Sequence, residues 1–218
     1  MITLTEENYI KAIYQLGLYG TNTVSTNAIA KEISTKASSV TDMVKKLSEK
    51  GYVDYKKYKG VILTKSGNEI AINVVRKHRL WEVFLVEKLN FTWDEVHEVA
   101  EQLEHIKSKK LISQLDAFLG YPSYDPHGDP IPDEKGNIKK IDKILLSESK
   151  IGDDCICVGV QDSSAEFLQY LDKNKIALGA RLNILQREPF DNSITIELNN
   201  KSLVISNVIA NNLYVKVV

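Results

Sequence analysis

The sequence predicts a mainly α-helical chain with a small share of β-structure: an N-terminal winged helix-turn-helix, a middle run of helices and a C-terminal β-barrel of the SH3 type. Three observations predict it. The first 70 residues show short helical apolar periods broken by a tight polar turn and end in a lysine-rich hairpin. The next 50 keep a helical apolar period. Four of the five prolines then fall within residues 120–140, and short β-branched runs follow. Domains are expected at 1–72, 73–141 and 142–218.

In order, Thr5-Glu6-Glu7 opens a first helix with Tyr9, Ile10, Ile13, Tyr14 and Leu16 inward, closed by the glycines at 17 and 20. Ser25 or Thr26 caps a short second helix. Ser38 or Ser39 caps a third, which runs through Val40, Met43, Val44 and Leu47 to Gly51. Tyr52–Tyr55 and Val61–Thr64 are expected strands around the tip Lys56–Gly60. A long helix runs from Ser66 toward Leu89, and further helices are expected over His97–His105 and Lys109–Leu119. Leu80, Trp81, Phe84, Leu85, Leu111, Leu115 and Phe118 exceed what one thin layer can bury, which implies a homodimer. Strands are expected over 155–160, 181–185, 193–198, 202–205 and 213–217, interrupted by a helix over 165–174.

Composition bounds the function. The 218 residues are 43% hydrophobic and 26% charged, with a formal net charge of −1, as in a globular protein. No apolar run approaches the ~20 residues of a membrane span. The start MITLTEENYI has no basic segment before an apolar one, so a cytoplasmic protein with no membrane partner is expected. Cys155 and Cys157 are read as buried strand residues. The balanced charge hides an asymmetry: residues 31–65 hold nine lysines against four acids. That excess could meet phosphate, so duplex DNA is an expected partner.

The segment TWDEVHEVAEQLEHIKS (92–108) carries the most chemistry. On one helix, His97, Glu101, Glu104 and His105 would share a face. Upstream, VRKHRLWEV (75–83) sets His78 four residues before Glu82. Of only four histidines, three thus stand at helical spacing to a glutamate. Histidines and carboxylates converging on a partly buried face point to a divalent cation.

A winged helix, then HxxxE and HxxxExxEH, then a small barrel resembles the diphtheria-toxin-repressor family of metal-dependent transcriptional regulators, in its manganese-responsive branch with an SH3-like (FeoA-like) barrel. The resemblance spans the whole chain and rests on SSVTDMVKKL (38–47), YKGVILTKSG (58–67), RKHRLWEVFLVEKL (76–89), VHEVAEQLEH (96–105) and PHGDPIP (126–132). It implies a helical dimerisation and metal-binding domain, and a dimer that represses palindromic operators when loaded with Mn²⁺. It assigns one metal site to Asn8, Glu101, Glu104 and His105. A second would take His78, Glu82 and His97, with Gln161, Asp162 or Glu166 from the barrel. Asp125 is a possible further carboxylate ligand, or simply a turn-initiating residue before proline. Glu101 stands where iron-responsive relatives carry cysteine, which favours Mn²⁺, with Fe²⁺ as the alternative. Two departures stand out: Asn8 replaces an aspartate, and Lys11 replaces a glutamate ligand of some short manganese regulators. The DNA-facing residues implied are Thr26, Ser38, Ser39, Thr41, Asp42, Lys45 and Lys46, with Lys56, Lys57, Tyr58 and Lys59 on the wing. Two other readings compete: a metallohydrolase built on His97, Glu101 and His105, and a regulator whose barrel binds another ligand. The sequence lacks HExxH and a glycine-rich phosphate loop, so no enzyme is expected.

Overall fold

The computed structural model describes residues 2–56, 58–139 and 142–218. Lys57, expected on the wing, lies outside the described residues. The chain divides into two compact units. One comprises Met1–His78, Glu101–Ser113 and Pro132–Ile138; the other comprises Arg79–Ala100, Gln114–Ile131 and Lys139–Val218.

The first unit begins with α1 (Leu4–Leu16). Its start is one residue earlier than expected, because Thr3 and Glu6 form a capping box. α2 (Thr26–Glu32) is capped by Ser25. α3 (Ala37–Glu49) departs from expectation: Lys36 is the N-cap and gives no side-chain bond. Ser38 and Ser39 therefore lie inside the first turn, because the chain has already turned at Ser34, whose φ is 49°. β1 (Val53–Lys56) pairs antiparallel with β2 (Gly60–Leu63), and Val24 bridges to Val61 as a third rung. Gly60 has φ +94°, and a Cβ there would stand 2.6 Å from the Val24 carbonyl oxygen, so this wing requires glycine. Ile10, Ile13, Tyr14, Ile29, Val40, Val44, Leu47, Val61 and the start of α4 (Lys65–Leu89) close one core.

A buried charge ties α1 to α3. Glu6 is fully buried and accepts from Lys46 Nζ at 2.9 Å and Lys50 Nζ at 2.8 Å. Burial alone raises this carboxyl, but hydrogen bonds from Lys50 and Lys46 outweigh it and hold it at about 2, against 4.5 unperturbed. Its folded value is depressed, so its contribution is complete above 4.5 and is lost as pH falls toward about 2. Glu6→Gln is expected to cost about 1.5–3 kcal/mol at neutral pH. It should also flatten the acid limb of the stability profile in urea unfolding. An unchanged limb would show that the two lysines do not act through Glu6.

The second unit carries the rest of α4, part of α5 (Val96–Leu103), the second half of α6 (Lys109–Phe118) and a six-stranded antiparallel sheet. The strands are β3 (Ile144–Leu145), β4 (Asp154–Val160), β5 (Arg181–Arg187), β6 (Ile194–Leu198), β7 (Lys201–Ile205) and β8 (Leu213–Val217). Their order is β3-β8-β4-β5-β6-β7. The two-residue β3 and the one-turn helix α8 (Asn207–Ala210) are additions to the expected set. α7 (Ala165–Lys173) lays Phe167, Leu168 and Leu171 onto the sheet. Cys155 and Cys157 are free and buried as expected, and burial pushes both thiols up to about 11.

Two expectations about the middle helices need correction. α5 spans only Val96–Leu103, so Glu104 and His105 follow it in a turn and do not share a helical face with His97 and Glu101. The apolar surplus is also partly absorbed within the chain: Leu80, Trp81, Leu85 and Leu115 are buried. Leu89, Leu111, Phe118 and Tyr121 remain exposed. Among the described residues no helix is long and apolar enough to cross a membrane.

Candidate metal centre and DNA-facing surface

In the second unit α4 buries Glu82 (2% exposed), and the loop over residues 120–131 brings two more donors to it. Ligand atoms of Glu82, Asp125 and His127 all lie within 4.8 Å of one another, and all three residues are buried. The loop is self-stabilised. Asp125 Oδ1 accepts from the backbone N–H groups of His127 and Asp129, each at 2.9 Å, so the turn-forming role of Asp125 is realised. That leaves Oδ2, which lies 3.4 Å from Arg79 Nε. Gly128 has φ +85°, and any Cβ there would collide with the Val158 carbonyl. The loop can therefore lie flat on β4, where the Val160 N–H donates to the His127 carbonyl at 3.0 Å.

Electrostatics mark the cluster. Burial, then Glu82 and then Asp129 push the Asp125 carboxyl up to about 7, against the pull of Arg79 and His127. Burial lowers His127, but its hydrogen bond to Glu82 and the charges of Glu82 and Asp125 outweigh that and raise it to about 9. Two buried carboxylates side by side repel, and a divalent cation relieves such a site. His127 Nε2–H donates to the Trp93 carbonyl at 2.8 Å, leaving Nδ1 on the Glu82 side, 3.7 Å from Oε2. This is how a ligating imidazole is normally oriented. The donor set therefore fits a hard or borderline divalent metal. His97, half-exposed, stands with Nδ1 3.5 Å from Glu82 Oε1. Asp162 and Glu166 belong to no metal-competent group among the described residues. Asp162 instead accepts from the Ser164 N–H, and Gln161 accepts from the Tyr214 hydroxyl.

The first unit holds a second constellation. Glu104 is 1% exposed and lies 2.6 Å from both Lys11 Nζ and His78 Nδ1. Burial raises its carboxyl, but the His78 hydrogen bond and the Lys11 charge hold it below the usual range. Lys11 also stands 3.2 Å from His78 Nδ1 and 3.8 Å from Glu101. His105 Nδ1 pairs with Glu7 at 2.6 Å. Asn8, Lys11, Glu101 and Glu104 line one cavity of about 500 Å³. Glu101, Glu104 and His105 do not converge as one ligand group among the described residues. Glu104 turns to Lys11 while His105 turns to Glu7.

On the third helix Ser38, Ser39, Asp42 and Lys45 are exposed and Thr41 is half-buried; Thr26, at the start of α2, is half-buried too. Thr41 Oγ1 donates to the Ala37 carbonyl within the helix. Lys46 is engaged by Glu6, so Lys45 is the freer cation of the pair. Lys56, Tyr58 and Lys59 are exposed on the wing, Tyr58 at 93%.

Three domain profiles match in series. "Iron dependent repressor, N-terminal DNA binding domain" covers residues 1–61, "Iron dependent repressor, metal binding and dimerisation domain" covers 64–133, and "FeoA domain" covers 144–217. An HTH-type transcriptional regulator, MntR, of Oceanobacillus iheyensis is 31% identical over 145 residues, 66% of this chain and 91% of that protein. The chain belongs to the diphtheria-toxin-repressor family. An uncharacterised HTH-type transcriptional regulator of Methanocaldococcus jannaschii is 36% identical over 113 residues, 52% of this chain and 90% of that one. A solved structure described as a manganese-dependent transcriptional repressor complex with manganese superposes with a TM-score of 0.87 at 34% identity, covering 98% of this chain and 100% of that one. Members of the family are metal-dependent DNA-binding regulators, not enzymes, which sets the metallohydrolase reading aside.

Set within this family, two site residues escaped the sequence. His127 is the one histidine without a glutamate at helical spacing, and it reaches Glu82 only through the fold of the loop. Glu7 reads as a first-turn acid of α1, yet it holds His105. The PHG triplet after Asp125 was the available clue to His127.

Proposed function

We propose that this diphtheria-toxin-repressor-family chain is a manganese-responsive repressor that acts in the cytoplasm and binds a palindromic operator as a homodimer. The observation that carries the reading is the buried Glu82–Asp125–His127 cluster, an oxygen-rich set of the kind that suits Mn²⁺ better than a softer metal. The repressors similar to this chain that are described as manganese-dependent support it. Fe²⁺ is the competing metal, and it is named in the matched family descriptions.

Glu82, Asp125 and His127, with His97, form one proposed donor set. His78, one helical turn before Glu82, is kept on its spacing. Glu101, Glu104, His105 and Asn8 are kept as the other on the family resemblance; to ligate, Glu104 would have to exchange Lys11, and His105 would have to exchange Glu7, for the cation. A bound divalent cation supplies charge neutralisation at both. The residues do the rest: Glu104 and Glu101 draw α1 toward the turn after α5 through Asn8 and Lys11. In the dimer, formed through the exposed Leu89, Phe118 and Tyr121 side chains, the two copies of α3 would sit ~34–36 Å apart, one duplex turn. Ser38, Ser39 and Thr41 would then meet bases or phosphates, and Lys45, Lys56 and Lys59 phosphates. Domain limits at 1–72, 73–141 and 142–218 remain the proposed division of labour.

The test is operator-containing DNA bound with no metal, with Mn²⁺ and with Fe²⁺ under reducing conditions at fixed salt. Mn²⁺ should raise affinity at least tenfold, and DNA should raise Mn²⁺ affinity by the same factor. Equal DNA affinity with and without Mn²⁺ would overturn the reading. A larger rise with Fe²⁺ would reassign the metal.

A further inference from the structure

We propose that Trp93 is a positioning residue through which helix α7 fixes the ligand histidine His127. The inference rests on reading Glu82–Asp125–His127 as a metal centre. Trp93 sits in the turn before α5 and faces two ways. On one side its carbonyl accepts the His127 Nε2–H at 2.8 Å, and its ring lies parallel to the imidazole, 4° apart with centroids at 6.2 Å. On the other its indole N–H donates to Asp172 Oδ2 at 3.0 Å. The next residue repeats the attachment: Asp94 Oδ2 accepts from Gln169 Nε2 at 2.9 Å. Gln169 and Asp172 are three residues apart on α7 and so share one face of that helix. α7 is itself anchored by Phe167, Leu168 and Leu171 in the C-terminal core, against which the Trp93 ring packs.

The chemistry gives this chain of contacts a consequence. Which nitrogen of a ligating imidazole faces the metal is set by the hydrogen bond on the other nitrogen. Here that bond is to a backbone carbonyl in a short turn, so the carbonyl is only as well placed as the turn. The turn has its own bonds: Glu95 N–H donates to the Thr92 carbonyl, and the Thr92 N–H donates to the Glu95 carboxylate. These close the turn without orienting it. The Asp172 and Gln169 bonds orient it. α7 therefore determines where His127 Nδ1 points relative to Glu82 and Asp125. The family resemblance looked to Gln161, Asp162 or Glu166 for a direct ligand from this domain; Asp172 acts through Trp93 instead, without touching the metal.

The chain holds two tryptophans, Trp81 and Trp93. In full-length protein carrying Trp81→Phe, Trp93 is the sole indole emitter, and Mn²⁺, a paramagnetic quencher, reports its own arrival at His127. Quenching titrations with MnCl₂ are compared for that parent and for Asp172→Ala, Asp172→Asn and Glu82→Ala added to it. Asp172 is exposed, so its replacement does not endanger the core. Asp172→Ala should weaken the quenching midpoint about tenfold, the scale of an outer-sphere loss. Asp172→Asn, which still offers the indole an oxygen, should recover most of that. The metal-free thermal midpoints of the parent and the two Asp172 variants should agree. Equal quenching midpoints for parent and Asp172→Ala, with Glu82→Ala unquenched, overturn the positioning role alone. Equal midpoints for parent and Glu82→Ala overturn the metal centre and this inference with it.

Discussion

Glu82→Ala is expected to abolish Mn²⁺-dependent DNA binding and to remove one class of Mn²⁺ sites from the folded chain. Glu82 is the residue on which the cluster converges: His97 approaches one carboxylate oxygen at 3.5 Å, His127 the other at 3.7 Å, and Asp125 completes the group. A metal present at a thousand times its dissociation constant stabilises the folded state by about 4 kcal/mol per site. The variant should lose that increment from this centre, and its Mn²⁺-induced rise in unfolding midpoint should shrink accordingly. Without metal two effects oppose: loss of Glu82 relieves repulsion on Asp125, whose carboxyl it helps push up, but strips the buried His127 of the acid that holds it protonated. The metal-free midpoint should therefore fall, and the Mn²⁺ increment is measured from each protein's own metal-free midpoint. Calorimetric Mn²⁺ titration and thermal scans check both halves. A wild-type Mn²⁺ increment in Glu82→Ala would mean that the cluster is a structural ion network.

The division between what the sequence discloses and what it hides follows contact range. The three helices and the hairpin of the DNA-binding part are legible because their signals are local: Ser25 before an apolar period, the Ser34 turn, and glycine at 51 and 60. The strands are legible from β-branched alternation; β3 is not, since two residues carry no period. α5 is read too long because its apolar and acidic spacing continues past Leu103, although the backbone turns there and the Ile106 N–H bonds back to the Leu103 carbonyl. That one boundary changes the site. It turns Glu104 inward toward Lys11, while Glu101 keeps a half-exposed side chain. Glu82 and His97 were legible as metal-competent residues from helical spacing. Their partnership with His127 was not, because it depends on a loop closed by the Asp125 side chain and on a carbonyl thirty-four residues away in the chain.

Lys11→Met should destabilise the chain by about 3–5 kcal/mol, the usual consequence of stripping a buried ion of its partner, and divalent metal should restore much of that loss. The Lys11 ammonium, 7% exposed, lies 2.6 Å from a Glu104 carboxylate that is itself 1% exposed. Without Lys11, that carboxylate keeps His78 but loses the lysine bonded to it, in a cavity that also holds Glu101 and Asn8. Lys11 is thus a built-in cation at the place where the proposed Asn8–Glu101–Glu104–His105 set would hold a metal. Metal and ammonium both draw on Glu104, so wild type should show a smaller Mn²⁺ increment at this set than the variant does. Urea unfolding with and without saturating Mn²⁺ measures it, with Glu82→Ala in the background to silence the other centre. The metal increment should be larger for Lys11→Met than for the lysine parent, by up to the about 4 kcal/mol that near-saturation supplies. Equal increments would show that the lysine and the metal do not share Glu104, and that the ligands of this second set lie elsewhere.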